Sequence, residues 1–203
     1  MTLCRVATVA LTLVASACTG GPAPGRSSSA SVPAIAGPWR TYALSEGVTF
    51  RAPARWHTTT YRGYPATIYF PSRYLSTDRF TGPCAHGNPK SSCTGHHWFP
   101  DGWTTPVGGV MILWSEAESP WGPGLDTVPG RRTTIGGDRA MVSGALSRCP
   151  RGAATEIDAY IAVGTRSDPT GRLDMTGCIG PAAAASDRRA VRRVLRSLRI
   201  RGG

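Results

Sequence analysis

Arg131-Arg-Thr-Thr-Ile-Gly-Gly-Asp-Arg-Ala-Met-Val-Ser-Gly-Ala-Leu146 reads as two strands joined by a tight turn. Residues 131–135 and 139–146 are the arms, and Gly136-Gly137-Asp138 is the bend. Short hairpin turns need positive φ, which glycine adopts without steric penalty, so the segment predicts an antiparallel hairpin. Similar runs lie on both sides of it. Residues 154–163 and 172–179 flank a turn at 164–171. Gly109-Val-Met-Ile-Leu-Trp114 is apolar throughout and predicts a central strand. Farther upstream, 39–44 and 48–51 surround Ser45-Glu-Gly47, and strand-like runs follow at 56–61 and 66–70. Glycine and proline punctuate these runs at hairpin spacing. The body is therefore expected to be a mostly antiparallel β-sheet.

The end of the chain changes period. Val191, Val194, Leu195 and Leu198 fall on one stripe of a helix, with Arg188, Arg192, Arg196 and Arg199 mainly on the other faces. Ser186 is the expected N-cap, with Asp187 in the first turn. Such a helix must bury its stripe against the sheet, which makes the fold class α+β, a sheet flanked by helices with a C-terminal amphipathic helix.

Gly47-Val-Thr-Phe50 followed by Pro53 and Trp56 resembles the opening of the PsbP/Mog1-like (LpqN-type) fold found in actinobacterial lipoproteins. Ile135-Gly-Gly-Asp-Arg-Ala140 is similar to the mid-chain hairpin of that family, and Val194-Leu-Arg-Ser-Leu-Arg-Ile200 to its final helix. The resemblance covers roughly residues 39–200 and implies an antiparallel sheet flanked by helices in a sandwich. It implies no single activity. Residues 71–107 depart from the pattern as an insertion.

The N-terminus bears on location. Arg5 precedes an uncharged apolar run at 6–15, then Ala15-Ser-Ala-Cys18. This order predicts a lipoprotein signal over 1–17, with a diacylglyceryl group on the Cys18 thiol and cleavage just before it. The run is too short to span a bilayer. No twin-arginine pair precedes that run. After Cys18, residues 19–37 are mostly Gly, Pro, Ser and Ala and cannot offset the entropy of ordering, so 18–37 is expected to be a lipidated tether. Its reach is roughly 25 Å. Residues 38–203 then suffice for a single α+β domain with its own core.

The chain carries a net charge of +11, and Lys90 is its only lysine. A basic exported protein favours anionic partners, such as phospholipid headgroups or acidic wall polymers, and nucleic acid is a poor fit to that compartment. With Cys4 in the signal and Cys18 lipidated, Cys84, Cys93, Cys149 and Cys178 remain. Four cysteines in an oxidising compartment predict two disulfides, and the preferred pairing is Cys84–Cys93 with Cys149–Cys178. Loop closure assigns them roughly 2.7 and 3.6 kcal/mol.

Two segments stand out for binding. The insertion contains His86, His96, His97, Trp98, Phe99, Asp101 and Trp103 between and after Cys84 and Cys93. His86, His96 and His97, with Asp101, offer imidazoles for zinc or copper, although the spacing matches no established zinc pattern and no cofactor is otherwise implied. Exposed Trp98, Phe99 and Trp103 would anchor a protein or glycan; the alternative is that they cover one end of the sheet. The second segment is the helix, where Arg188, Arg192 and Arg196 lead a cationic run suited to anionic headgroups. Nucleophile elbows, zinc-protease helices and phosphate loops are missing. Glu116 with Glu118, and Glu156 with Asp158, are read as exposed rim charges. The expected function is that of a non-enzymatic binding or scaffold domain on the outer face of the cytoplasmic membrane. Its partner would be an envelope protein, anionic lipid or wall polymer. The alternative is an envelope enzyme or metal-binding protein centred on the histidines.

Overall fold

The computed structural model describes residues 37–45, 47–61, 72–81, 99–100, 102–117, 125–144, 148–163 and 171–201. All belong to the unit Pro33–Gly203. In chain order the strands are Trp39–Ser45 (β1), Val48–Pro53 (β2), His57–Tyr61 (β3), Ser72–Ser76 (β4) and Val110–Ala117 (β5). Arg131–Ile135 (β6), Asp138–Ser143 (β7), Thr155–Ala162 (β8) and Arg172–Ile179 (β9) come next. The helix Ala185–Arg196 (α1) and the short strand Arg199–Ile200 (β10) close the fold.

Two antiparallel sheets result. The larger has the order β3-β4-β5-β9-β8-β7-β6, and the smaller β1-β2-β10. The quoted hairpin forms with Ile135 opposite Asp138, and Gly136 and Gly137 both lie at positive φ, +66° and +106°. That conformation is why the turn is glycine twice. The apolar run at 109–114 becomes β5, an interior strand between β4 and β9. Its residues Val110 to Trp114 are all buried, because both faces of the sheet are covered.

One face of the large sheet meets α1 and the small sheet. Leu75, Ile112, Trp114, Leu173, Met175 and Ile161 project into this layer and meet Phe50 and Tyr42 from the small sheet. Phe50 stacks on Trp114 with ring centroids 5.3 Å apart. The helix contributes Ala190, Val191, Val194 and Leu195, with Leu198 just beyond its end, so the expected stripe is the buried one. Gly177 permits the close approach: a Cβ there would stand 2.8 Å from a Val191 methyl.

The opposite face is covered by loops. Phe99 and Trp103 lie over Tyr74, Met111 and Leu113, and Cys149 is linked to Cys178 of β9. A short 3-10 turn, Leu125–Thr127, packs beside Met141 and Tyr160 with Val128.

Three details depart from the sequence reading. Ser72–Ser76 is a full strand inside the segment read as an insertion, paired with both β3 and β5. Ser186 lies within the helix, and the N-cap is Ala184, which gives no side-chain cap. Asp187 instead bonds the Arg55 guanidinium, tying the first turn of α1 to the end of β2. Among the described residues there is one α-helix, on one face only. The strand expected at 66–70 lies outside the described residues, as do the signal, Cys18, the tether and Cys84–Cys93.

Candidate functional site

The expected sites separate into three groups. His86, His96, His97, Trp98, Asp101 and Glu118 lie outside the described residues. Among the described residues, no group of three His, Cys, Asp or Glu side chains is placed to hold a metal ion. Phe99 and Trp103, read either as an exposed binding anchor or as a cover for the sheet, are buried, as the second reading expects. Tyr74 meets Trp103 edge-on at 5.1 Å and Phe99 at 5.7 Å, and Phe80 lies 4.7 Å from Trp103. The cause is simple: this face of the large sheet carries Tyr74, Met111 and Leu113, and these aromatics help to keep water from them. Beside them Phe80, Trp103, Thr81 and Ser76 line a cavity of about 270 Å³.

The third group is the arginines of the helix. Arg188 folds back on the preceding loop, donating to the carbonyls of Ala183 at 3.0 Å, Gly180 at 3.2 Å and Pro181 at 2.9 Å. It is a structural clasp. Arg192, Arg193 and Arg196 are exposed. The small sheet extends their surface. Arg193 stacks on the Trp39 ring at 4.5 Å, which joins the helix to the start of β1. The Ser197 hydroxyl accepts from the Arg51 N–H at 2.8 Å, which joins the helix end to β2. Thr41 is opposite Arg51 and Arg199 opposite Thr49 in the sheet register, and Arg51 and Arg199 are exposed too. In the described parts of β1, β2, α1 and β10 the only carboxylate is Asp187, and it is buried against Arg55. The result is a cationic face without exposed acid among the described residues. It would bind phosphate or carboxylate oxygens by charge and by guanidinium hydrogen bonds.

The sequence reading missed a second cluster. Glu156 and Asp158 are not rim charges: both are buried, together with Asp174. Register puts Glu156 opposite Cys178, Asp158 opposite Thr176 and Tyr160 opposite Asp174, all on the loop-covered face. Each carboxylate has partners from its own chain. Glu156 accepts from the backbone N–H of Arg148 at 3.3 Å and of Cys149 at 3.2 Å. The Thr176 hydroxyl donates to Asp158 at 2.9 Å. Asp174 receives Arg172 through two nitrogens, at 2.6 and 3.1 Å, and Arg148 at 3.2 Å. Arg148 and Arg172 also lie over the Tyr160 ring, at 4.7 and 5.5 Å respectively. Ser115, opposite Asp174 on β5, has a buried hydroxyl that meets no partner among the described residues. Burial pushes the Asp158 carboxyl up to about 7, helped by a hydrogen bond to Glu156 and by its charge, against the pull of Thr176 and Arg148. Burial also raises the Tyr160 phenol.

The signal for this cluster was present in part. Acidic residues at 156 and 158 alternate with Ile157, Ala159 and Ile161, which fits a strand with one polar face. Whether such a face meets water depends on loops distant in sequence. No family model, curated protein or solved structure matches the chain.

Proposed function

We propose that the chain is an extracytoplasmic lipoprotein, with residues 1–17 a cleaved signal and Cys18 the lipid-bearing residue. Its folded part is a non-enzymatic binding or scaffold domain at the outer face of the cytoplasmic membrane. The observation that carries the reading is the disulfide between Cys149 and Cys178. Disulfides persist in oxidising compartments and are rare where thiols are kept reduced. A lipobox-like Ala15-Ser-Ala-Cys18 before a Gly/Pro/Ser stretch supports the same location. Among the described residues no helix is long and apolar enough to cross a membrane.

Support for a non-enzymatic role comes from the buried charges. Asp174, Asp158 and Glu156 are each engaged by groups of the chain itself, an arrangement that stabilises loops over the sheet. We further propose the PsbP/Mog1-like sandwich as the fold type. Its support is a helix packed on an antiparallel sheet, with the Gly47 to Trp56 segment running through β2.

Expression of the full chain in a bacterial host tests the location. The wild-type protein should enter the detergent-rich phase of a cloud-point separation, with a diacylglyceryl mass on Cys18. The Cys18→Ala chain should carry no lipid. A wild-type chain with an unmodified Cys18 thiol, recovered from the cytoplasm with Cys149 and Cys178 reduced, would overturn the proposal.

A further inference from the structure

We infer that the arginine face formed by α1, β10 and the outer side of the small sheet is the surface on which the anchored domain rests against anionic phospholipid headgroups. The inference rests on the lipid-anchor reading of Cys18 and adds to it the orientation of the domain and the chemistry of its contact.

Three observations carry it. First, Arg192, Arg193 and Arg196 on the helix are continuous with Arg51 and Arg199 on the small sheet, through the Arg193–Trp39 stack and the Ser197–Arg51 hydrogen bond. One element alone would give a stripe of charge; two make a broad face. Second, no exposed carboxylate interrupts this face among the described residues, whereas the carboxylates of β8 and β9 are buried on the other side of the large sheet. Third, the tether from Cys18 joins the folded part at β1, whose first residue, Trp39, lies under Arg193. A lipid on Cys18 therefore holds this end of the domain, the arginine-bearing end, within roughly 25 Å of the headgroups. Each arginine near an anionic surface strengthens the contact about fivefold, the equivalent of about 1 kcal/mol, and the gain fades within a Debye length. A contact of this kind turns the loop-covered face, with its disulfide and its Phe80–Trp103 cavity, away from the bilayer.

Arginine-specific modification of the full lipidated chain tests the orientation. The chain is reconstituted in vesicles of phosphatidylcholine, with or without phosphatidylglycerol, and treated with phenylglyoxal. Peptide mass spectrometry then reads each arginine. Arg192 and Arg196 should react about fivefold more slowly or less on phosphatidylglycerol vesicles than on phosphatidylcholine alone. Arg79 and Arg151, both exposed and on the loop-covered side, should react equally on both. Molar salt should abolish the difference. The double change Arg192→Gln and Arg196→Gln alters exposed side chains only, and should remove most of the protection at Arg51 and Arg199.

Equal reactivity of Arg192 and Arg196 on the two vesicle types would overturn the inference, as would protection of Arg79 and Arg151 in their place. Protection by soluble polyphosphate but not by the bilayer would also overturn it, in favour of a wall polymer. The mass of the peptide containing Cys18, read in the same digest, tests the anchor separately. A chain without lipid there fails the anchor reading, while its arginines, probed with preformed vesicles, still decide whether the face binds them.

Discussion

Stability should fall as the pH rises from about 4 to about 7, and Asp158→Asn should remove most of that fall. Asp158 is 1 % exposed, and its carboxyl is pushed up to about 7 from an ordinary 3.8. Between those values the folded chain holds a proton at Asp158 that the unfolded chain has released. Unfolding in this window releases a proton, so higher pH favours the unfolded state. The contribution is fully present below about 4, shrinks by up to about 1.4 kcal/mol per pH unit, and is gone above about 7. Burial is the first cause. The second is the hydrogen bond to Glu156, which needs the Asp158 proton, because two facing carboxylates repel. Asparagine replaces that proton with an N–H and keeps an oxygen for the Thr176 hydroxyl. The variant should therefore match the wild type near pH 4 and exceed its stability by a few kcal/mol at pH 8. Urea unfolding of both chains over this range measures the difference, in which contributions common to the two chains cancel. Parallel pH profiles for the two chains would show that Asp158 titrates normally and that the cluster is wetter than its burial indicates.

The misreading of this pair shows where local sequence stops being informative. Gly136-Gly137 specifies its hairpin within a few residues, because positive φ is a local demand. The Val191, Val194, Leu195 and Leu198 stripe needs only the helical period and the existence of something to cover it. Residues 110–114 betray a strand buried on both faces by being apolar without alternation. Ser72-Arg-Tyr-Leu-Ser76 is likewise an interior strand but carries no such mark in its sequence. It places one large apolar residue on each face, Tyr74 and Leu75, so neither a period of two nor an apolar run emerges. Glu156 and Asp158 gave the correct alternation and the wrong environment. Whether their face meets water is decided by the loop at 148–153, whose N–H groups reach Glu156 and which is itself held by Thr105, far back in the chain. The same limit hid the arginine face. The helix cations were evident, but Arg51 joins them only through the Ser197 hydrogen bond, across most of the chain.

Replacing Cys149 and Cys178 together with alanine should cost about 3.6 kcal/mol, the loop-closure value for their separation of 29 residues. The bond fastens the loop at 148–153 to β9, an interior strand of the large sheet. Cys178 is fully buried beside Met111 and Leu113, so the loss of its sulfur also thins the packing under Trp103 and Phe99. What else holds the loop is polar, and includes the Arg148 guanidinium on Asp174 at 3.2 Å. Glu156 accepts from two of its backbone N–H groups, and the Thr105 N–H donates to the Arg151 carbonyl at 2.8 Å. Without the crosslink, opening the loop would hydrate Glu156 and Asp158, so the double variant should lose the pH dependence as well as the stability. Chemical denaturation at pH 5 and pH 8 measures both. A cost below about 1 kcal/mol would mean that the loop is held mainly by the carboxylates and that the disulfide is incidental to the fold. Reduction of the wild-type chain gives a further comparison. If Cys84 and Cys93 are also paired, reduction should cost roughly 2.7 kcal/mol more than the double substitution, and an equal cost would exclude that second crosslink.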